Sequence, residues 1–235
     1  MTLLEQIDQA LTLAANQFAG RSIVLDNLVY HILDTMLLNG GLLLAVYWWL
    51  WFETDETGVH PQRRSIVVAQ LAVIGVAVTV KLLKVLLPFR HAPLNSLDLG
   101  ARLPFGADPV SLSTSNSFPS GHAALFVALS VPLWMRSRWL GAAAAVWISL
   151  AVCLPLLFLG DHWLSDIVAG AIVGAALMLL LCRVIGATSL PDRALNFSAV
   201  HPSAFYAMAW LVSLETALRF EDVDTLLSGI ARAVI

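Results

Sequence analysis

The sequence predicts an all-α membrane protein: a polytopic helical bundle of about six transmembrane helices, preceded by amphipathic N-terminal helices. Three observations carry that prediction. Of 235 residues, 59% are hydrophobic and only 12% charged, against roughly 25% charged in an ordinary soluble domain. The mean hydropathy is +0.80. The apolar residues also gather into long runs, and a bilayer core of ~30 Å takes about 20 helical residues to cross.

Taken in order, residues 3–18 and 22–34 mix apolar with polar residues and read as amphipathic helices lying at the membrane surface. Asp26, Asn27, His31 and Asp34 weigh against 22–34 simply lengthening the first span. Six apolar runs follow, near 35–52, 65–87, 121–135, 139–159, 163–183 and 203–219. The third is short and starts at Pro119-Ser120-Gly121; the fourth and fifth are separated by a few residues. Trp48, Trp49, Trp51, Trp134, Trp139 and Trp163 stand at the ends of these runs, where amphipathic rings favour the interface. The chain therefore divides into an interfacial segment (1–34), a membrane domain (35–220) and a polar tail (221–235) opening on Glu221, Asp222 and Asp224.

Charge narrows the function classes. A net charge of -3, without any Lys/Arg-rich patch, predicts no nucleic-acid partner. Cys153 and Cys182 lie inside apolar runs and read as small hydrophobes. Glu5 and Asp8 precede any apolar core, so no signal peptide is expected at this N-terminus. Six spans place loops 53–64, 136–138 and 184–202 on one side, with Arg63, Arg64, Arg136, Arg138 and Arg193. The other side holds the 88–120 loop, with Arg21, Arg219 and Arg232 outside that loop. Positive-inside reasoning makes the first side cytoplasmic and the second extracytoplasmic.

Three polar clusters fall on that outer side. Lys84 and Arg90 close the second run, Ser117-Phe118-Pro119-Ser120-Gly121-His122 opens the third, and Gly160-Asp161-His162-Trp163-Leu164-Ser165-Asp166 opens the fifth. Ionisable residues at membrane depth are costly and mark functional sites. His162 and Asp166, four apart, share a helix face. A carboxylate bonded to one ring nitrogen leaves the other free as a nucleophile. The plainer reading is a helix start capped by acidic groups. Pro-Ser-Gly at a helix head presents N–H groups and a hydroxyl to an anion, although Ser120 also suits an ordinary N-cap. His122 stands beside it as a proton donor.

The hexapeptide at 117–122, followed some forty residues later by Gly-x-His-Trp-x-x-Asp at 160–166, resembles the type 2 phosphatidic acid phosphatase family, related to vanadium haloperoxidases. The resemblance covers roughly residues 35–220. It implies hydrolysis of a phosphomonoester or pyrophosphate through a phosphohistidine in a bacterial plasma-membrane protein, and the charge count above places the site on the extracytoplasmic side. His162 would attack phosphorus, Asp166 would orient it, and His122 would protonate the leaving oxygen. Lys84, Arg90, Ser120 and Gly121 would hold the phosphoryl oxygens. No metal or other cofactor is implied. The implied partners are membrane lipids and a lipid phosphate substrate such as undecaprenyl pyrophosphate, phosphatidylglycerol phosphate or phosphatidic acid; the oligomeric state is not implied.

The pattern departs from the family at two places. Anchoring the first motif on Pro93 puts Ala92 where an arginine belongs, leaving Arg90 an accessory. Counting back from His162 puts Leu156 at a second arginine position, and residues 150–159 hold no Lys or Arg. A lost oxyanion donor typically costs ~100–1000-fold in rate. Asp161 adds a negative charge beside the nucleophile. Arg102, on the long loop, reads as a solvated charge more readily than as a substitute. Two function classes therefore stand: a lipid phosphate hydrolase with a rearranged clamp, and a relative repurposed to bind a head group or a partner protein. A vanadate-dependent peroxidase is a distant third.

Overall fold

The computed structural model describes residues 2–56, 58, 60–106 and 116–221, and it is all-helical over them. The tail beyond Glu221, with Arg232, lies outside the described residues. Helices α1 (Leu3–Asn16), α2 (Ile23–Asp34), α3 (Leu42–Phe52) and α4 (Arg63–Leu86) come first. After the long loop follow α5 (Gly121–Arg136), α6 (Arg138–Ile148), α7 (Leu154–Leu159), α8 (Leu164–Gly186), α9 (Leu190–Val200) and α10 (Pro202–Ala217). A wide turn over Ser149–Cys153 joins α6 to α7, and another over Leu37–Gly41 leads into α3.

Arg63–Leu86, Arg138–Leu159 and Leu164–Gly186 are each long and apolar enough to cross a membrane. The other three predicted spans are shorter. Gly121–Arg136 and Pro202–Ala217 have 16 residues each, about 24 Å of helix. Leu37–Phe52 is bent by 57° from α2, and the pair reaches spanning length only together. Residues 190–200, expected as loop, form α9, because Pro191 pre-sets the first turn and Asp192 meets its positive end. Asp192 is paired with Arg64 at 2.9 Å, which holds its carboxyl below the usual range.

Helix α1 is amphipathic in the sense opposite to a helix of a soluble protein. Its buried residues are Asp8, Thr12 and Asn16, spaced four apart on one face, whereas Leu3 and Leu4 are 72% and 79% exposed. Apolar side outward suits contact with lipid; polar side inward gives α1 a face to hydrogen-bond the bundle.

The core of the bundle centres on α4, α5 and α8, with Val73, Val76, Phe126, Leu129, Leu133 and Met178 buried. Among lipid-facing helices small residues set the closest crossings. On α8, Gly170 lies against the Ser120 backbone and Gly174 against that of Ala124, with no room for a Cβ. That crossing brings the head of α5 onto the head of α8, where the Ser120 N–H donates to the Asp166 carbonyl at 3.0 Å. Gly174→Ala is expected to cost at least about 1–3 kcal/mol by overpacking. It should lower the thermal midpoint in detergent, while Gly186→Ala, whose Cβ meets open space, leaves it unchanged. Equal midpoints for the two variants would contradict this packing.

Candidate functional site

The three clusters meet at one end of the bundle, held by a backbone scaffold of which one residue forms the centre. Asn116 accepts from the N–H groups of Arg90 (3.0 Å) and Phe118 (3.1 Å). Its amide donates to the carbonyls of Lys84 (2.9 Å) and Pro88 (3.2 Å). The Ser117 N–H donates to the Arg90 carbonyl at 2.9 Å. The end of α4 and the approach to α5 are thereby locked together. The Phe118–Pro119 peptide bond is cis. Gly160, at φ 75°, closes α7 with a left-handed cap that a Cβ would strain, and the chain enters the third cluster directly.

His162 and Asp166 share a helix-start face as expected, but their nearest atoms, Nδ1 and Oδ2, stand 3.8 Å apart, too far for a direct hydrogen bond. Ser117 bridges them. Its Oγ lies 2.6 Å from Asp166 Oδ2 and 3.1 Å from His162 Nδ1. A carboxylate only accepts and a hydroxyl has one proton. Ser117 therefore donates to Asp166 and accepts from His162 Nδ1–H, which leaves the lone pair on Nε2. All three side chains are buried.

Asp166 has further partners. Its Oδ2 accepts from the Trp163 N–H at 3.0 Å, and its Oδ1 accepts from Arg90 at 2.5 Å. The second nitrogen of Arg90 donates to Asp8 Oδ2 at 2.7 Å, and its guanidinium packs over the Trp163 ring at 5.5 Å. Asp8 also accepts from the Ser165 N–H (2.8 Å) and hydroxyl (2.6 Å). Thr12 accepts from the Leu164 N–H at 3.0 Å. The polar face of α1 thus caps the first turn of α8, the turn that carries Asp166.

His122 stands across from His162, ring centroids 6.4 Å apart. It lines a cavity of about 180 Å³ together with Lys84, Gly121, Lys81, Arg219 and Glu221. A Cβ on Gly121 would meet nothing within 4 Å, so the backbone there is open to a ligand. His162 is not in the cavity wall. Ser120 is fully buried, and its hydroxyl accepts from the Ala123 N–H at 3.4 Å, the N-cap arrangement. Arg90 faces two carboxylates rather than the cavity. Leu156 and Ala92, 0% and 5% exposed, are packed inside. Arg102 is exposed, bound to the protein through its backbone: its N–H donates to Asn16 Oδ1 at 2.6 Å.

Ser117, Asn116, Asp8, Lys81 and Arg219 join the site only in three dimensions; the sequence assigns none of them a role there. One signal is present for Asp8: with Thr12 and Asn16 it forms a polar stripe at intervals of four. Burial pushes the Asp161 carboxyl above the usual carboxylate range, with neighbouring His162 opposing. Asp161 is therefore neutral at low pH and gains its charge later than an ordinary carboxylate. Beside an anionic substrate that charge repels. Under the phosphatase reading proposed below, Asp161→Asn is expected to lower KM by about 10-fold at high pH. The KM ratio to wild type should return to one as pH falls through the raised pKa; a ratio independent of pH would contradict it.

A helical membrane bundle that gathers two histidines, a serine–aspartate bridge and a cation-lined cavity at one end defines an integral membrane protein with a histidine-centred polar site. Its family is the PAP2 superfamily, to which the chain belongs: the family's profile matches residues 65–189, more than half of it. The match takes in Lys84 through Asp166 and leaves α1 and α10 outside. The chain is similar to lipid A 1-diphosphate synthase of Escherichia coli (strain K12), 26% identical over 168 residues, which cover 68% of this chain and 65% of that protein. It thus spans about two thirds of that relative's length. It also aligns with the crystal structure of a transmembrane PAP2-type phosphatidylglycerolphosphate phosphatase from Bacillus subtilis. That alignment has 19% identity and a TM-score of 0.45, and covers 77% of this chain and 85% of that one.

Proposed function

We propose that the protein is a membrane phosphatase that hydrolyses a lipid phosphate or pyrophosphate through a phosphohistidine, on the extracytoplasmic side of a bacterial plasma membrane. The observation that carries this reading is the Ser117 bridge, which orients a buried histidine with Nδ1 protonated and Nε2 free. Family membership and the facing His122 support it.

In the mechanism, Nε2 of His162 forms a bond to phosphorus as the bond from phosphorus to the lipid oxygen breaks. His122 gives its proton to that departing oxygen. The two rings face each other with centroids 6.4 Å apart, close enough for both to act on one bound phosphoryl group. Water then attacks phosphorus, His122 takes a proton from it, and His162 leaves as neutral imidazole. Charge building on the equatorial oxygens is met by Lys84 and by the N–H groups at the head of α5 around Gly121. Asp166 stabilises the cationic imidazole through Ser117. Arg90 and Asp8 hold Asp166 in place, and Ser120 holds the helix start that presents Gly121 and His122.

A rival reading, a relative that binds a head group without hydrolysing it, draws on the apolar Leu156 and Ala92. One assay separates the two: inorganic phosphate release in detergent from phosphatidic acid, phosphatidylglycerol phosphate and undecaprenyl pyrophosphate. The hydrolase reading expects turnover on at least one of them. No release from any would sink it.

A further inference from the structure

We propose that Arg219, with Lys81, forms the phosphate-binding wall of this site alongside Lys84, doing the work of the arginine absent at Leu156. The inference rests on the phosphoryl-transfer reading above, and its principal residue, Arg219, lies outside the span matched to the family.

Arg219 and Lys81 line the same cavity as Lys84, Gly121 and His122, so among the described residues its wall holds three cations and one carboxylate, Glu221. The other arginine near the site, Arg90, is occupied by Asp8 and Asp166. Among the described residues that line this cavity, the cationic side chains are Lys81, Lys84 and Arg219.

The chain takes an unusual path to bring Arg219 there. Past the end of α10, both Arg219 and Phe220 have φ of 58°, the left-handed region that residues with a Cβ disfavour. Such backbone persists where the surroundings hold it, and it gathers at functional sites. Here the Phe220 N–H donates to the Glu215 carbonyl at 2.7 Å, and Lys81 Nζ donates to the Phe220 carbonyl at 3.0 Å. The turn is thus latched to α4 by one of the clamp's own members.

Glu221 occupies the Arg219 fork, with Nε to Oε1 at 2.9 Å. Arg219 is 17% exposed in its side chain and Glu221 is 55% exposed. The arginine is the fixed partner and the glutamate the outer one. Both Arg219 nitrogens donate to the single oxygen Oε1, an anionic position that a phosphoryl oxygen can take, leaving a second phosphoryl oxygen to complete the bidentate pair. Phosphate entry displaces Glu221 outward.

The test is binding of inorganic phosphate to the detergent-solubilised full chain by isothermal titration calorimetry. Arg219→Gln should weaken binding about 10- to 100-fold, and Lys81→Gln about 10-fold. Glu221→Gln, which removes the competing carboxylate, should tighten it roughly 3-fold or more. Affinity unchanged in Arg219→Gln, or no phosphate binding by wild type, overturns the assignment. If Arg219→Gln fails to fold, Glu221→Gln decides alone: tighter binding supports the clamp and unchanged binding overturns it. This pattern without lipid phosphate hydrolysis upholds the clamp and sinks the phosphatase reading. Hydrolysis with unaltered phosphate affinity in Arg219→Gln does the reverse.

Discussion

Replacing His162 with Ala is expected to lower lipid phosphate hydrolysis by at least about 10⁴-fold, the scale seen when a covalent nucleophile is removed. The side chain is 8% exposed, and its loss empties a small volume beside Ser117 without breaking helix or crossing. The variant should therefore stay folded, with a thermal midpoint close to wild type. Phosphate affinity should change little, since the cavity cations remain. His122→Ala should behave differently. As the proton donor it matters most when the leaving oxygen is basic. Activity should thus fall less with a lipid diphosphate, whose leaving group is a phosphate, than with a monoester. Equal losses on both would contradict the division of roles between the two histidines.

The second large effect concerns the bridge. Asp166→Asn should cost about 10⁴-fold in kcat, as when a neutral amide replaces the aspartate of a catalytic triad and the wrong histidine tautomer results. An amide N–H facing Ser117 Oγ turns its proton towards His162 Nδ1. The ring proton then moves to Nε2, and the lone pair that attacks is gone. Ser117→Ala should cost less, about 100-fold, because Asp166 keeps Arg90 and the Trp163 N–H as partners. Ser117→Thr, which keeps the hydroxyl, should recover most of that loss. KM should move little in all three. Full activity in Ser117→Ala would mean that the 3.8 Å separation of His162 and Asp166 closes directly, and that the bridge has no role.

How much of this was legible in the sequence depends on the range over which each signal acts. Hydropathy is local, so the helix positions from Arg63 to Gly186 follow from run length and punctuation: Pro119-Ser120 before α5, Gly160 before α8. The short helix α9 was missed because its composition is mixed, and only Pro191 and Asp192 mark its start. His162 and Asp166 were legible because their partnership lies within one helical turn. The bridging role of Ser117 was not, because its partner His162 stands 45 positions away and the hexapeptide marks the serine without showing what it bonds. Arg90 looked like a phosphate ligand from its place near the first motif. Folding turns it instead to Asp8, 82 positions away on α1. The cations facing the cavity lie one turn before Lys84 and at the far end of the chain. No local pattern links Arg219 to His122; the left-handed turn at Arg219 and Phe220 does so in three dimensions.

The central claim is that His162 becomes phosphorylated. It is tested most directly by mixing wild-type protein with a lipid substrate labelled at the transferred phosphoryl group and quenching within milliseconds. The account predicts one labelled phosphohistidine per site at most, labile to acid and stable to base, mapping to the peptide that carries His162 and absent from His162→Ala. Hydrolysis that proceeds at full rate with no label on the protein at any quench time, or label on a different residue, would contradict it.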